Sequence, residues 1–125
     1  MATPEDSGKF KIKGKDVPGY DSEIEVDIGT EGAKNHKVVS KDIPNPSPYG
    51  GSDIIWFNAF GVKEKNNDKF ADIPYTVKLN KLPEGKKLFV KLPAGIVEQR
   101  FEEAEPGKIK FELAVGDPPI GYWPP

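Results

Sequence analysis

The chain contains no cysteine. Disulfides, thiolate metal sites and a cysteine nucleophile are therefore excluded. Arginine is almost missing too: of the 18 basic residues only Arg100 is one. Lysine is a hydrated point charge, whereas arginine grips phosphate through two parallel hydrogen bonds. With lysines scattered over alternate positions and a net charge of −2, nucleic acid is not an expected partner. No apolar run approaches the roughly 20 residues that span a bilayer, so membrane insertion is not expected either. The first eight residues lack the basic and apolar regions of a signal peptide. Histidine occurs once, at His36. No long window repeats apolar residues at the 3.6 period of a helix.

What the chain has is alternation. Lys9-Phe10-Lys11-Ile12-Lys13 puts two apolar side chains on one face and three lysines on the other. Glu23–Ile28 repeats the pattern with carboxylates outside, and Tyr75–Leu79, Leu88–Leu92 and Lys108–Val115 continue it. Side chains alternate across a strand, so each segment buries one face and wets the other. Asp53–Val62 is apolar on both faces and reads as a central strand. Weaker strands are expected near Lys37–Ser40 and Ile96–Glu98. The helix candidate is Glu98–Glu105, one or two turns ended by Pro106, or else an acidic loop.

Turn chemistry separates these segments. Val17-Pro18-Gly19-Tyr20, Leu82-Pro83-Glu84-Gly85, Leu92-Pro93-Ala94-Gly95 and Glu105-Pro106-Gly107 combine a proline that presets φ with a residue suited to closing the turn. Short strands with turn signals about every 8–12 residues predict an antiparallel β-sandwich of about seven or eight strands with Greek-key connections. A jelly roll is the alternative and a small barrel the next. The strand rhythm is similar in a general way to immunoglobulin-like and fibronectin-like modules, although the immunoglobulin Cys…Trp…Cys framework is absent. The expected core is Phe10, Ile12, Ile24, Val26, Trp56, Phe60, Val77, Leu79, Leu88, Val90, Ile109, Phe111 and Leu113.

A chain of 125 residues fits one domain with a core that needs no staples. Residues 1–8 read as a polar lead-in, 9–117 as the domain, and 118–125 as a proline-rich tail. The sequence leaves the compartment open, with an extracellular or cell-surface setting favoured over a cytoplasmic one, as part of a larger surface, secreted or assembly protein.

Chemistry is weakly encoded. His36 has Ser40, Ser52, Asp42 and Asp53 as potential companions, but no nucleophile elbow frames either serine. The carboxylates at Glu102, Glu103 and Glu105 read as a solvated face rather than as the pair that flanks a sugar in a glycosidase. No catalytic residue is assigned, and a small hydrolase is the last of three readings. Asn66, Asp68 and Asp72 place oxygen donors on one polar loop, where Ca²⁺ is the cofactor that would fit, although Lys63, Lys65 and Lys69 crowd it. Otherwise no cofactor is expected.

Recognition is better supported than catalysis. Tyr20 follows Pro18-Gly19, Tyr49 precedes Gly50-Gly51, and Tyr122 and Trp123 lie in the proline-rich end. Aromatics on loops suit binding, and pyranose rings stack on such surfaces. Trp56 is instead expected to fill core. The leading expectation is a non-catalytic interaction or structural module with a protein partner. A carbohydrate-binding module acting on polysaccharide through Tyr20, Tyr49, Tyr122 and Trp123 is the alternative.

Overall fold

The computed structural model describes residues 7–41, 43, 53–117 and 120–122, with only the backbone of Tyr122. The described residues form an all-β protein with antiparallel sheets and one short helix. In chain order the elements are β1 (Lys9–Lys13), β2 (Glu23–Asp27), α1 (Gly29–Asn35), β3 (His36–Ser40), β4 (Ile55–Asn58), β5 (Phe60–Glu64), β6 (Tyr75–Asn80), β7 (Leu88–Leu92), β8 (Gly95–Glu98), β9 (Glu102–Glu103), β10 (Lys108–Leu113) and β11 (Ile120–Tyr122).

One sheet runs β1-β2-β6-β10-β9, a second β4-β11-β7-β8, and β3 pairs with β5. The alternation in the sequence fixes the register of the first sheet. Phe10, Val26, Val77 and Phe111 form one cross-strand row, and Ile12, Ile24, Leu79 and Ile109 the next. Between them lies an outward row of Lys11, Glu25, Lys78, Lys110 and Glu102. A slip of one residue would turn every apolar side chain to water, so the pattern tolerates one pairing. Lys78 meets Lys110 directly in that row, but Glu25 at 3.8 Å and Glu105 at 3.3 Å flank Lys78, and Glu102 lies 3.5 Å from Lys110.

The apolar rows join Phe57, Leu88, Val90 and Ile120 of the second sheet, and Phe60 and Val62 of β5, in a single core. Each fully buried side chain of this kind contributes about 1.5–3 kcal/mol. Most of the expected core is found there. Phe10 is half-buried against its edge, and Trp56 is buried outside it.

The sequence and structure differ in four places. The apolar run Asp53–Val62 is not one central strand. It breaks at Ala59 into β4, at the edge of its sheet, and β5, which pairs with β3. Phe57 and Phe60, three residues apart, both enter the core, so the parity that placed Trp56 with Phe60 is lost at the break. Trp56 instead packs over Gly121, where an added Cβ would lie 2.9 Å from its ring. Second, Glu98–Glu105 is not helical: it ends β8, crosses between sheets and forms β9. The helix lies at Gly29–Asn35, entered through Gly29 at φ +78° and burying Ala33. Third, Ile120–Tyr122, read as tail, is a strand between β4 and β7. Fourth, there are eleven described strands rather than seven or eight, the additions coming from the break at Ala59 and from β9 and β11.

The turns behave as read. Tyr20 N–H donates to Val17 O at 3.1 Å around Pro18-Gly19, and Lys108 N–H donates to Glu105 O at 2.9 Å around Pro106-Gly107. Gly19 and Gly107 supply the positive φ, +77° and +82°, that a type II turn demands at its third position.

Tyr75 gives the fold a pH signature. Its buried hydroxyl donates to the carbonyl of Val115. Burial, helped by Asp72 and Asp117, pushes the phenol well above the ordinary tyrosine range. The unfolded chain therefore loses this proton first, near pH ~10, and stability falls as pH rises beyond that. Tyr75→Phe is expected to cost about 1 kcal/mol at neutral pH and to make the alkaline decline shallower. Urea titrations at pH 7 and pH 11 measure both effects.

Candidate interaction edge

β7 and β8 form a hairpin closed by Pro93-Ala94, with Leu92 opposite Gly95, Val90 opposite Val97 and Phe89 opposite Glu98. β8 is the last strand of its sheet. Gln99 N–H donates to Leu88 O at 2.8 Å, which sets the phase of the ladder. Antiparallel pairs alternate between bonded and unbonded, so Gly95, Val97 and Gln99 face β7 while the N–H and C=O groups of Ile96 and Glu98 point to the free edge. An unpaired strand edge is a template for another strand.

After Gln99 the chain crosses to the first sheet and forms β9 at its outer edge. The edges of both sheets therefore meet along one stretch, Gly95–Glu103. Among the described residues, three large apolar side chains are exposed, and two of them, Val97 at 40% and Phe101 at 42%, lie here. At Phe101 runs a groove of about 550 Å³ lined also by Thr76, Gln99, Arg100, Lys110 and Glu112, among others. Glu102 pairs with Lys110 at 3.5 Å, and Glu98 lies 3.9 Å from Lys87. Arg100 pairs with no carboxylate among the described residues. Arginine is among the residues enriched at binding hot spots.

The third exposed apolar residue, Phe70 at 47%, already has partners. Its ring stands over Gly61, with the ammonium groups of Lys41 and Lys63 5.1 Å and 5.0 Å from its centroid.

The residues singled out in the sequence are dispersed. Tyr20 is half-buried, donates its hydroxyl to Asn80 O at 2.7 Å and sets its ring edge-on to Phe57 at 5.2 Å. Tyr122 lies in β11, and Tyr49 and Trp123 fall outside the described residues. On the polar loop, Asn66 is exposed in the turn. Asp68 has its oxygens 2.8 Å from the Lys37 ammonium and 3.5 Å from that of Lys63. These lysines, Lys37 foremost, hold its carboxyl below the usual range. Asp72 accepts the Gly116 N–H at 2.9 Å. Lysine ammoniums thus sit where a cation would draw on Asp68, and the described residues contain no cluster of three or more His, Cys, Asp or Glu suited to a metal. His36 opens β3 with Nδ1 3.0 Å from Gly32 O, an acceptor, so this nitrogen carries the proton of that bond.

Val97, Arg100 and Phe101 do not stand out in the sequence as a candidate site. The one available signal is the lone arginine next to an aromatic with no alternating partner to bury it. No known protein family, curated protein or solved structure matches the chain.

Proposed function

We propose that the protein is a non-catalytic interaction module, built as a β-sandwich, that receives an extended segment of a partner protein along the free edge of β8. The sandwich reading rests on two antiparallel sheets contributing to one core. The binding reading rests on one coincidence: the outward backbone groups of Ile96 and Glu98 adjoin exposed Val97 and Phe101 and the unpaired Arg100. In strand addition, main-chain hydrogen bonds supply affinity and side-chain contacts supply selectivity, which is the division of labour this edge offers. Val97 and Phe101 would serve as apolar anchors and Arg100 as the polar one.

The test is selection from a random peptide library displayed against the immobilised protein, followed by counter-selection on an Arg100→Ala/Phe101→Ala variant of unchanged melting temperature. The expected result is enriched peptides that bind the wild type at least about tenfold more tightly than the variant. Enrichment of peptides that bind both equally would contradict the assignment of this edge.

A further inference from the structure

The free edge of β8 also selects among the side chains of its occupant. Cross-strand partners share a face, so Ile96 lies with Lys91 and Glu98 with Phe89 on one side of the sheet, while Val97 lies with Val90 on the other. Every described strand pairing in the fold is antiparallel. A segment added in the same sense sets one residue directly opposite each of Ile96 and Glu98, whose backbone groups point outward. Its residue opposite Glu98 meets a carboxylate, and its residue opposite Ile96, two positions on, meets an aliphatic side chain. The residue between them falls opposite Val97, in the unbonded pairing that brings side chains closest.

Distance ranks the charges that such a segment would feel. Strands lie about 4.8 Å apart, so Glu98 is one spacing from the added strand and Lys91 two, roughly 9–10 Å, which exceeds the ~8 Å screening length at physiological salt. Lys91 is also drawn back, its ammonium donating to Leu92 O at 2.7 Å. Arg100 lies past the end of β8, in the groove that Glu102 and Glu112 also line. Glu98 does have a lysine neighbour, Lys87, but at 3.9 Å and with both side chains more than half exposed this pair contributes little. A carboxylate has room for a second cation. Asp68 holds Lys37 at 2.8 Å and Lys63 at 3.5 Å, and Glu25 stands between Lys11 and Lys78 on the strands to either side. In the first sheet Glu25 and Glu102 each have a lysine directly opposite, whereas Glu98 has Phe89 opposite on β7 and nothing beyond it at the free edge.

We propose, building on the strand-addition reading above, that the occupant is a basic-apolar-apolar segment of a partner protein. Its lysine or arginine lies opposite Glu98, and its two apolar residues lie opposite Val97 and Ile96. Opposite charges at facing positions attract and like charges repel, so a segment with an acid in the first place is disfavoured. The central apolar residue covers Val97, which is 40% exposed without it.

Two capped synthetic peptides test this, a threonine-flanked Lys-Val-Ile and its Glu-Val-Ile counterpart. Their dissociation constants are measured by fluorescence anisotropy on the wild type, on Glu98→Lys and on Glu98→Pro, at low and high salt. The expected result is a preference of the wild type for the lysine peptide of at least about threefold, narrowed by salt and reversed in Glu98→Lys. Equal or tighter binding of the glutamate peptide by the wild type, lost in Glu98→Pro, would overturn the basic-partner inference and leave strand addition standing. Binding of either peptide that Glu98→Pro leaves unchanged would overturn strand addition itself, and binding of neither would overturn both.

Discussion

Gly14→Ala is expected to destabilise the protein by about 3 kcal/mol, the upper end of the range for overpacking. A Cβ at this position would lie 2.0 Å from the carbonyl oxygen of Phe57. The obstacle is backbone, so no rotamer change relieves it. The same carbonyl accepts the Lys15 N–H at 2.7 Å, and Gly14 N–H donates to Ser22 O at 3.3 Å. Ser22 and Asn58, the buried polar residues among those described, are part of this junction. Asn58 Nδ2 donates to Ser22 O at 2.7 Å, and Ser22 Oγ donates to Lys15 O at 2.9 Å. Moving the chain after β1 away from β4 would loosen all of these bonds at once. A domain with about 5–15 kcal/mol of stability would lose a large share of it. Gly19→Ala is the comparison: φ there is +77° but nothing lies within 4 Å, so only the left-handed backbone is strained, at about 1–2 kcal/mol. Urea denaturation of both variants checks the difference. A Gly14→Ala midpoint equal to or above that of Gly19→Ala would contradict the packing described.

Two proline variants one residue apart are expected to behave in opposite ways. Val97 faces β7, so Val97→Pro removes a ladder hydrogen bond and is expected to cost about 2–3 kcal/mol. Glu98 turns its N–H to the free edge, where proline is tolerated, so Glu98→Pro is expected to cost less than about 1 kcal/mol. For binding the order inverts. Glu98→Pro presents an incoming strand with a ring in place of a donor. A bound peptide is expected to weaken roughly a hundredfold, about 3 kcal/mol, through the lost bond and the obstructed approach. Thermal melts and peptide titrations separate the two effects. Equal stabilities for the variants would mean that the phase of the β7–β8 ladder is wrong.

Much of the fold was legible because it rests on local alternation. Phe10, Ile12, Ile24, Val26, Val77, Leu79, Ile109 and Phe111 follow the two-residue period, and their strands assemble in the register that keeps them inside. The proline-glycine turns were legible for an equally local reason, the φ values those residues permit. What escaped depends on neighbours distant in sequence. Nothing within Asp53–Val62 signals that the chain changes sheets at Ala59, since both halves are apolar for reasons supplied by other strands. α1 carries two glycines in seven residues, a poor helix by propensity, and is held by burial of Ala33. Ile120–Tyr122 sits amid prolines yet lies inside a sheet, where β4 and β7 provide its hydrogen bonds.

The candidate site was least legible of all. Glu98–Glu105 resembles a solvated acidic face because its four carboxylates are matched by lysines elsewhere in the fold: Lys87, Lys110, Lys81 and Lys78. Only once those pairs are in place do Arg100 and Phe101 stand apart. The aromatic residues that drew attention in the sequence include Tyr20, whose ring and hydroxyl are both engaged within the fold.

The most direct test of the central claim is amide hydrogen exchange at Ile96 and Glu98, followed by NMR with and without a saturating selected peptide. The account predicts rapid exchange of both amides in the free protein and slowing of both in the complex, with Val97 already protected by β7. Protection that appears elsewhere while Ile96 and Glu98 continue to exchange freely would show that partners do not add a strand at β8.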